Sequence, residues 1–173
     1  MKQKLVVIGA GMASGRVLEQ LTETAPDAFD ITLFNGESRG NYNRIMLSPV
    51  LSGDKTYEDI VTHDAAWYAA RGITCRFGEH VTRIDREAKV VVGQGGEVAY
   101  DHLLIATGSA PFVIPVPGRE LPGVVTYRDL DDTEAMIDAA ARGGSAVVIG
   151  GGLLGLEAAA GLAGRGMAVT VVH

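Results

Sequence analysis

Residues 4–34 read KLVVIGAGMASGRVLEQLTETAPDAFDITLF, and residues 146–173 read AVVIGGGLLGLEAAAGLAGRGMAVTVVH. Each stretch is a short apolar run, a glycine turn, a helix-length segment and a second apolar run. Four consecutive apolar residues, Leu5–Ile8, fit a strand buried on both faces of a parallel sheet. Val17, Leu18 and Leu21 recur at helical spacing, and Pro26 with its turn-forming neighbours ends that helix before ITLF. The two VVIG openings, at Val6 and Val147, lie 141 residues apart, too far for a solenoid repeat. They predict two βαβ units of the dinucleotide-binding kind.

The glycines have separate tasks in such a unit. The first permits a turn closed to other residues, the second lets a diphosphate approach the backbone, and the following helix points its free N–H groups at the phosphates. Gly9 and Gly11, with Met12 and Ala13 in the first turn, supply these features in one copy. Gly150 and Gly152, with Leu153 and Leu154, supply them in the other. The third position, where helix and strand approach closely, is Gly155 in the second copy but Ser14, beside Gly15, in the first. A ribose-binding acid is expected just past the second strand, where the chain offers Asn35, Gly36 and Glu37. Glu37 is the favoured candidate and Asn35 the second.

Between the copies, residues 35–61 are polar and rich in glycine, and are read as a long functional loop broken by short helical turns. THDAAWYAARG predicts a short helix capped by Thr62 and ended by Gly72. ITCRF, a hairpin or meander over 81–100, and DHLLIATG read as strands. SAPFVIPVPGRELPGVV has four prolines among seventeen residues, so it forms no regular helix and marks a crossing between domains. Residues 131–142 read as a helix with an acidic first turn and Gly143 as its stop. The fold class is therefore α/β, Rossmann-like, with a parallel sheet and a small antiparallel meander. The domains are placed at 1–112 and 113–173.

A net charge of −6 and a sequence pI near 5.1, with no basic run, argue against nucleic acid or an anionic membrane as partner. The apolar start is too short for a signal peptide or a membrane span. One cysteine, Cys75, excludes an internal disulfide and a C-x-x-C pair; it suits a reducing cytoplasm and reads as a small buried hydrophobe. His63, His80, His102 and His173 have no ligand spacing, so no metal is assigned.

YDHLLIATGSAPFVIPVPG resembles the A-T-G segment of flavoprotein reductases with two dinucleotide-binding domains, carried here by Ala106, Thr107 and Gly108. NYNRIMLSPVLSG, WYAARGI, TYRDLDD and GGGLLGLEAAAGL add a more specific likeness, to the large subunit of NAD(P)H-dependent nitrite reductases and to electron-transfer components of nitrate assimilation. The resemblance implies FAD in the first part and NAD(P)H in the second. It implies Arg44 and Ser48 near the flavin, the Val81 backbone near adenine, Arg128 on the flavin side of the crossing, and Glu157 as the glutamate after the nucleotide loop. It further implies electron flow to a siroheme and iron–sulfur module or small subunit beyond these residues. No acid, base or nucleophile is assigned. The chain is read as cut inside its second nucleotide unit, so weak flavin occupancy, little activity alone and homodimerisation through a free sheet edge are expected. The rival expectations are a ferredoxin or rubredoxin reductase and a non-catalytic nucleotide-binding module. Ser48 is followed by Pro49, with no redox cysteine, which disfavours peroxide chemistry.

Overall fold

The computed structural model describes residues 2–173. In chain order its elements begin with β1 (Gln3–Ile8), α1 (Met12–Thr24), β2 (Phe29–Asn35), β3 (Asn41–Tyr42), a 3-10 turn (Arg44–Met46) and α2 (Leu47–Ser52). β4 (Val61–His63), α3 (Ala65–Ala70), β5 (Thr74–Phe77), β6 (Val81–Asp85), β7 (Val90–Gly93), β8 (Gly96–Ala99) and β9 (His102–Ile105) follow. The last are α4 (Leu130–Arg142), β10 (Ser145–Ile149), α5 (Leu153–Gly164) and β11 (Ala168–Val172). The fold is mixed α/β with parallel sheets and a small antiparallel sheet, as the periodicities predict. Two compact units divide the chain. One comprises the residues up to Tyr42 together with Val61–Gly108, and the other Asn43–Ile60 with Ser109–His173.

In the first unit, the order β5-β2-β1-β9 forms a parallel sheet. Alternate residues of β1 enter different clusters. Leu5 and Val7 pack with Leu18, Ile31, Leu33, Tyr68 and Ile73 on one face. Val6 and Ile8 join Phe34 and Val91 on the other, beneath the antiparallel β6-β7-β8 sheet. Two covered faces explain why the strand is apolar throughout rather than alternating. The meander is held by Glu79, whose carboxylate accepts from the Gly95 N–H at 2.7 Å and lies where a Cβ on Gly93 would stand. Cys75 is half-buried, and burial pushes its thiol up to about 11, so it is a protonated packing group at neutral pH.

Two local features differ from the sequence-based expectation. The cap of α3 is Asp64, whose side chain accepts from the Trp67 N–H at 2.7 Å, not Thr62. The Thr62 hydroxyl instead donates to Asn41 Oδ1 at 3.0 Å. The polar stretch after β2 also contains an antiparallel pair, β3 with β4, from which residues 43–60 depart and to which they return.

In the second unit, β10 and β11 pair in parallel, with α5 connecting them. Leu51 of α2 is fully buried among Met136, Ala140, Ala158 and Leu162. Its seat requires a glycine, because a Cβ on Gly161 would stand 2.8 Å from Leu51 Cγ. Arg165 donates to the Leu51 and Val50 carbonyls, satisfying the end of α2. Residues 109–125 have no helix or strand, as their prolines predict. α4 is capped by Asp129, whose carboxylate accepts from the Asp132 N–H at 2.9 Å. Asp129→Ala should therefore cost about 1 kcal/mol, seen as a lower urea midpoint with unchanged slope.

Candidate functional site

The first glycine turn sits against the A-T-G segment. Gly9 has φ +101° and donates its N–H to the Phe34 carbonyl at 2.7 Å, continuing the ladder one residue beyond β1. A Cβ on Gly9 would run into the Ala106 carbonyl group, with Thr107 Cα 3.1 Å away. The Ala106 N–H in turn donates to the Ile8 carbonyl at 2.8 Å. Gly9, Ala106 and Thr107, distant in sequence, are thus in backbone contact. Thr107 and Gly108 are exposed beside the turn.

Gly11 answers to neither constraint. Its φ is −83°, which other residues adopt freely, and a Cβ there would meet nothing within 4 Å. It is the N-cap of α1, and no side chain caps that helix. The first-turn amides, Met12 and Ala13 among them, have no intrahelical acceptor, and Met12 and Ala13 are exposed. The Gly11 carbonyl is held on its inner side by the Gly15 N–H at 2.9 Å, Ser14 Oγ at 2.9 Å and Asn41 Nδ2 at 2.8 Å. Gly15 has no room for a Cβ because Asn41 occupies that place. The result is a rigid open cradle with unpaired donors and the positive end of a helix dipole.

Asn35 and Glu37 stand at the end of β2. Asn35 is buried; its Oδ1 accepts from the Ala10 N–H at 3.3 Å and its Nδ2 donates to the Arg39 carbonyl at 2.8 Å. It therefore braces the glycine turn from inside. Glu37 is half-buried, and its carboxylate accepts from Tyr42 Oη at 2.7 Å. Val81 opens β6 and is half-buried.

The second turn repeats the geometry. Gly150 has φ +117° and donates to the Val172 carbonyl at 2.8 Å. Gly152 caps α5 with φ −74°, without a side-chain cap, and a Cβ there also meets nothing within 4 Å. Gly155 is the close-approach residue, since a Cβ would collide with the Gly150 carbonyl. Leu153 and Leu154 are exposed at the helix mouth. In the same unit, Ser48 Oγ donates to Glu157 Oε2 at 2.5 Å, and Tyr127 Oη donates to Ser48 Oγ at 3.0 Å. Burial raises the Tyr127 phenol above its ordinary value, so it remains the donor. Arg44 donates to the Arg128 carbonyl at 3.2 Å, and Arg128 Nε donates to the Ser109 carbonyl at 3.1 Å.

Sequence reasoning missed Asn41, which fixes Gly11, and Tyr127, which completes the chain to Glu157. Asn41 opens the NYNRIMLSPVLSG segment, but its hydrogen bond to the Gly11 carbonyl joins residues thirty positions apart and shows only in the fold. Tyr127 is the tyrosine of TYRDL, but only the fold brings it to Ser48. Among the described residues, no group of three or more His, Cys, Asp or Glu could hold a metal ion. No helix among them is long and apolar enough to cross a membrane.

Comparison with known proteins gives concordant matches. The family model described as pyridine nucleotide-disulphide oxidoreductase matches residues 3–173. The NAD(P)H nitrite reductase of Bacillus subtilis (strain 168) is 46% identical over 173 residues, covering 99% of this chain and 22% of that protein. The assimilatory nitrate reductase electron transfer subunit of the same organism is 42% identical, again over 99% of this chain and 22% of its own length. This chain thus spans about a fifth of those curated relatives. The crystal structure of NADH:rubredoxin oxidoreductase from Clostridium acetobutylicum superposes with a TM-score of 0.85 at 28% identity, over 99% of this chain and 44% of that one.

Proposed function

Because this chain belongs to the pyridine nucleotide-disulphide oxidoreductase family, we propose that it is the FAD- and NAD(P)H-binding electron-entry part of a nitrite reductase large subunit. The observation that carries this reading is the pair Gly11 and Gly152: both are glycines that neither backbone conformation nor internal packing demands. A side chain at either position would meet only what approaches the helix mouth from outside, and a diphosphate is the ligand for which bare backbone and unpaired N–H groups are suited. The first unit takes the flavin, because its turn is backed by the A-T-G segment; the second takes the nicotinamide nucleotide.

A flavin bound there supplies the exchange between two-electron and one-electron chemistry. The protein's own contribution is positional. Gly9, Ala106 and Thr107 bring two backbone segments together, Asn41 and Ser14 lock the carbonyl of Gly11, and the amides of Met12 and Ala13 stay unpaired for phosphate oxygens. Ser48, fixed by Tyr127, holds one oxygen of Glu157. The groups that receive electrons are proposed to lie in a siroheme and iron–sulfur module or small subunit, as the resemblance to nitrite reductase large subunits implies; a relative named as an electron transfer subunit supports electron delivery to a partner.

Titration of FAD with the purified chain tests the proposal. Saturable quenching of flavin fluorescence with a Kd of about 100 μM or tighter is expected. Flavin that stays fully fluorescent at saturating protein would overturn the assignment and leave a non-catalytic role for the fold.

A further inference from the structure

The two glycine turns agree in a detail that concerns nucleotide choice. In the first, the Gly9 N–H bonds the Phe34 carbonyl and the next amide, of Ala10, donates to Asn35, the last residue of β2. In the second, the Gly150 N–H bonds the Val172 carbonyl and the next amide, of Gly151, donates to His173 Nδ1 at 3.2 Å. Asn35 and His173 therefore occupy the same place, one residue beyond the last sheet pair with the strand before the turn, Ile8 with Phe34 and Ile149 with Val172. The imidazole also explains the middle glycine of G-G-G. A Cβ on Gly151 would stand 2.8 Å from His173 Cγ, whereas Ala10 is accommodated in the first turn.

Resting on the reading of the second unit as the nicotinamide-nucleotide site, we propose that His173 reads the 2′ position of the adenosine ribose and admits a 2′-phosphate. In βαβ units of this kind, the side chain just past the second strand meets that ribose; a carboxylate there accepts from the 2′-hydroxyl and repels a phosphate. The His173 side chain carries no carboxylate. Its Nδ1 accepts the Gly151 N–H, so the ring proton is on Nε2, at the opposite edge of an exposed ring. The group offered to the ligand is consequently a donor, which suits the oxygens of a 2′-phosphate. The Gly151 contact orients the ring, and the absence of a methyl group at Gly151 lets it lie against the turn.

The test is a comparison of NADPH and NADH binding to the full chain by equilibrium dialysis, for the wild type, His173→Glu and His173→Gln. The wild type should bind NADPH at least as tightly as NADH. His173→Glu should shift the ratio of the two dissociation constants about tenfold or more toward NADH, while His173→Gln, which retains a donor, should keep it within about threefold. An unchanged ratio in His173→Glu, or a wild type favouring NADH about tenfold, overturns the role of His173 while leaving the nucleotide site standing. A wild type that binds neither nucleotide overturns the site and this proposal together. As a readout independent of the variants, the His173 imidazole resonances should shift with adenosine 2′,5′-bisphosphate and not with adenosine 5′-monophosphate; equal shifts count against it.

Discussion

Gly11→Ser should lower flavin affinity about a hundredfold while leaving the melting temperature unchanged or slightly raised. The separation of the two effects follows from the geometry. Gly11 has φ −83° and a Cβ there touches nothing, so serine fits the folded chain without strain. Serine is also a favoured N-cap, and its hydroxyl would take one of the first-turn amides of α1 that glycine leaves unpaired. Those amides are the ones a diphosphate needs, and the added side chain stands in its path. A hundredfold change is about 2.7 kcal/mol, on the scale of one or two charge-assisted hydrogen bonds lost with some steric displacement. Flavin fluorescence quenching and a thermal melt on the same sample measure both quantities. A variant that binds flavin as well as the wild type would show that the mouth of α1 is not where the phosphates sit.

Gly9→Ala, two residues earlier, has the opposite signature. Its φ of +101° is strained for any L-residue with a side chain, and the new methyl would meet the backbone of Ala106, which cannot rotate aside. A loss of about 3 kcal/mol or more is expected, which lowers the urea midpoint by about 1.5 M for a slope near 2 kcal/mol/M. Flavin affinity falls only as far as the folded fraction does. Circular dichroism during urea unfolding checks it, and a midpoint within error of the wild type would contradict the close approach of β1 and β9 at this turn.

Both glycine turns were legible in the amino-acid sequence because their causes are local. A continuous apolar strand, a residue free to take positive φ and a helix with no capping side chain leave their mark within about ten positions. The role of the A-T-G segment was legible only by resemblance, since its backbone contact with Gly9 joins positions almost a hundred residues apart. The role of Asn41 left no mark, because an asparagine after a loop glycine has many uses and only the fold shows it bonded to the Gly11 carbonyl. The cap of α3 is Asp64 rather than Thr62 because the helix begins at Ala65, while Thr62 lies in β4 with its hydroxyl bonded to Asn41. His173 drew notice in the sequence only for its lack of ligand spacing; comparing the residue one past the last sheet pair in each copy sets it beside Asn35. The stretch near residue 50 reads as a loop broken by short helical turns, and α2 is one of them; what the sequence does not show is that its buried Leu47, Val50 and Leu51 belong to a helix packed on α4 and α5.

The path of Asn43–Ile60 has a consequence for how the molecule can be divided. The polypeptide leaves the first unit after Tyr42, re-enters at Val61 and leaves again after Gly108, so the units are interlaced along the backbone rather than strung end to end. No single cut yields two intact halves. A piece stopped at Gly108 would keep α2 but strip Leu51 of Met136, Ala140, Ala158 and Leu162, while a piece begun at Ser109 would lack the leucine that fills its interior. The dependence runs one way: the second unit is finished by a segment spliced into the first unit's stretch of sequence, so its interior closes only when both stretches belong to one polypeptide.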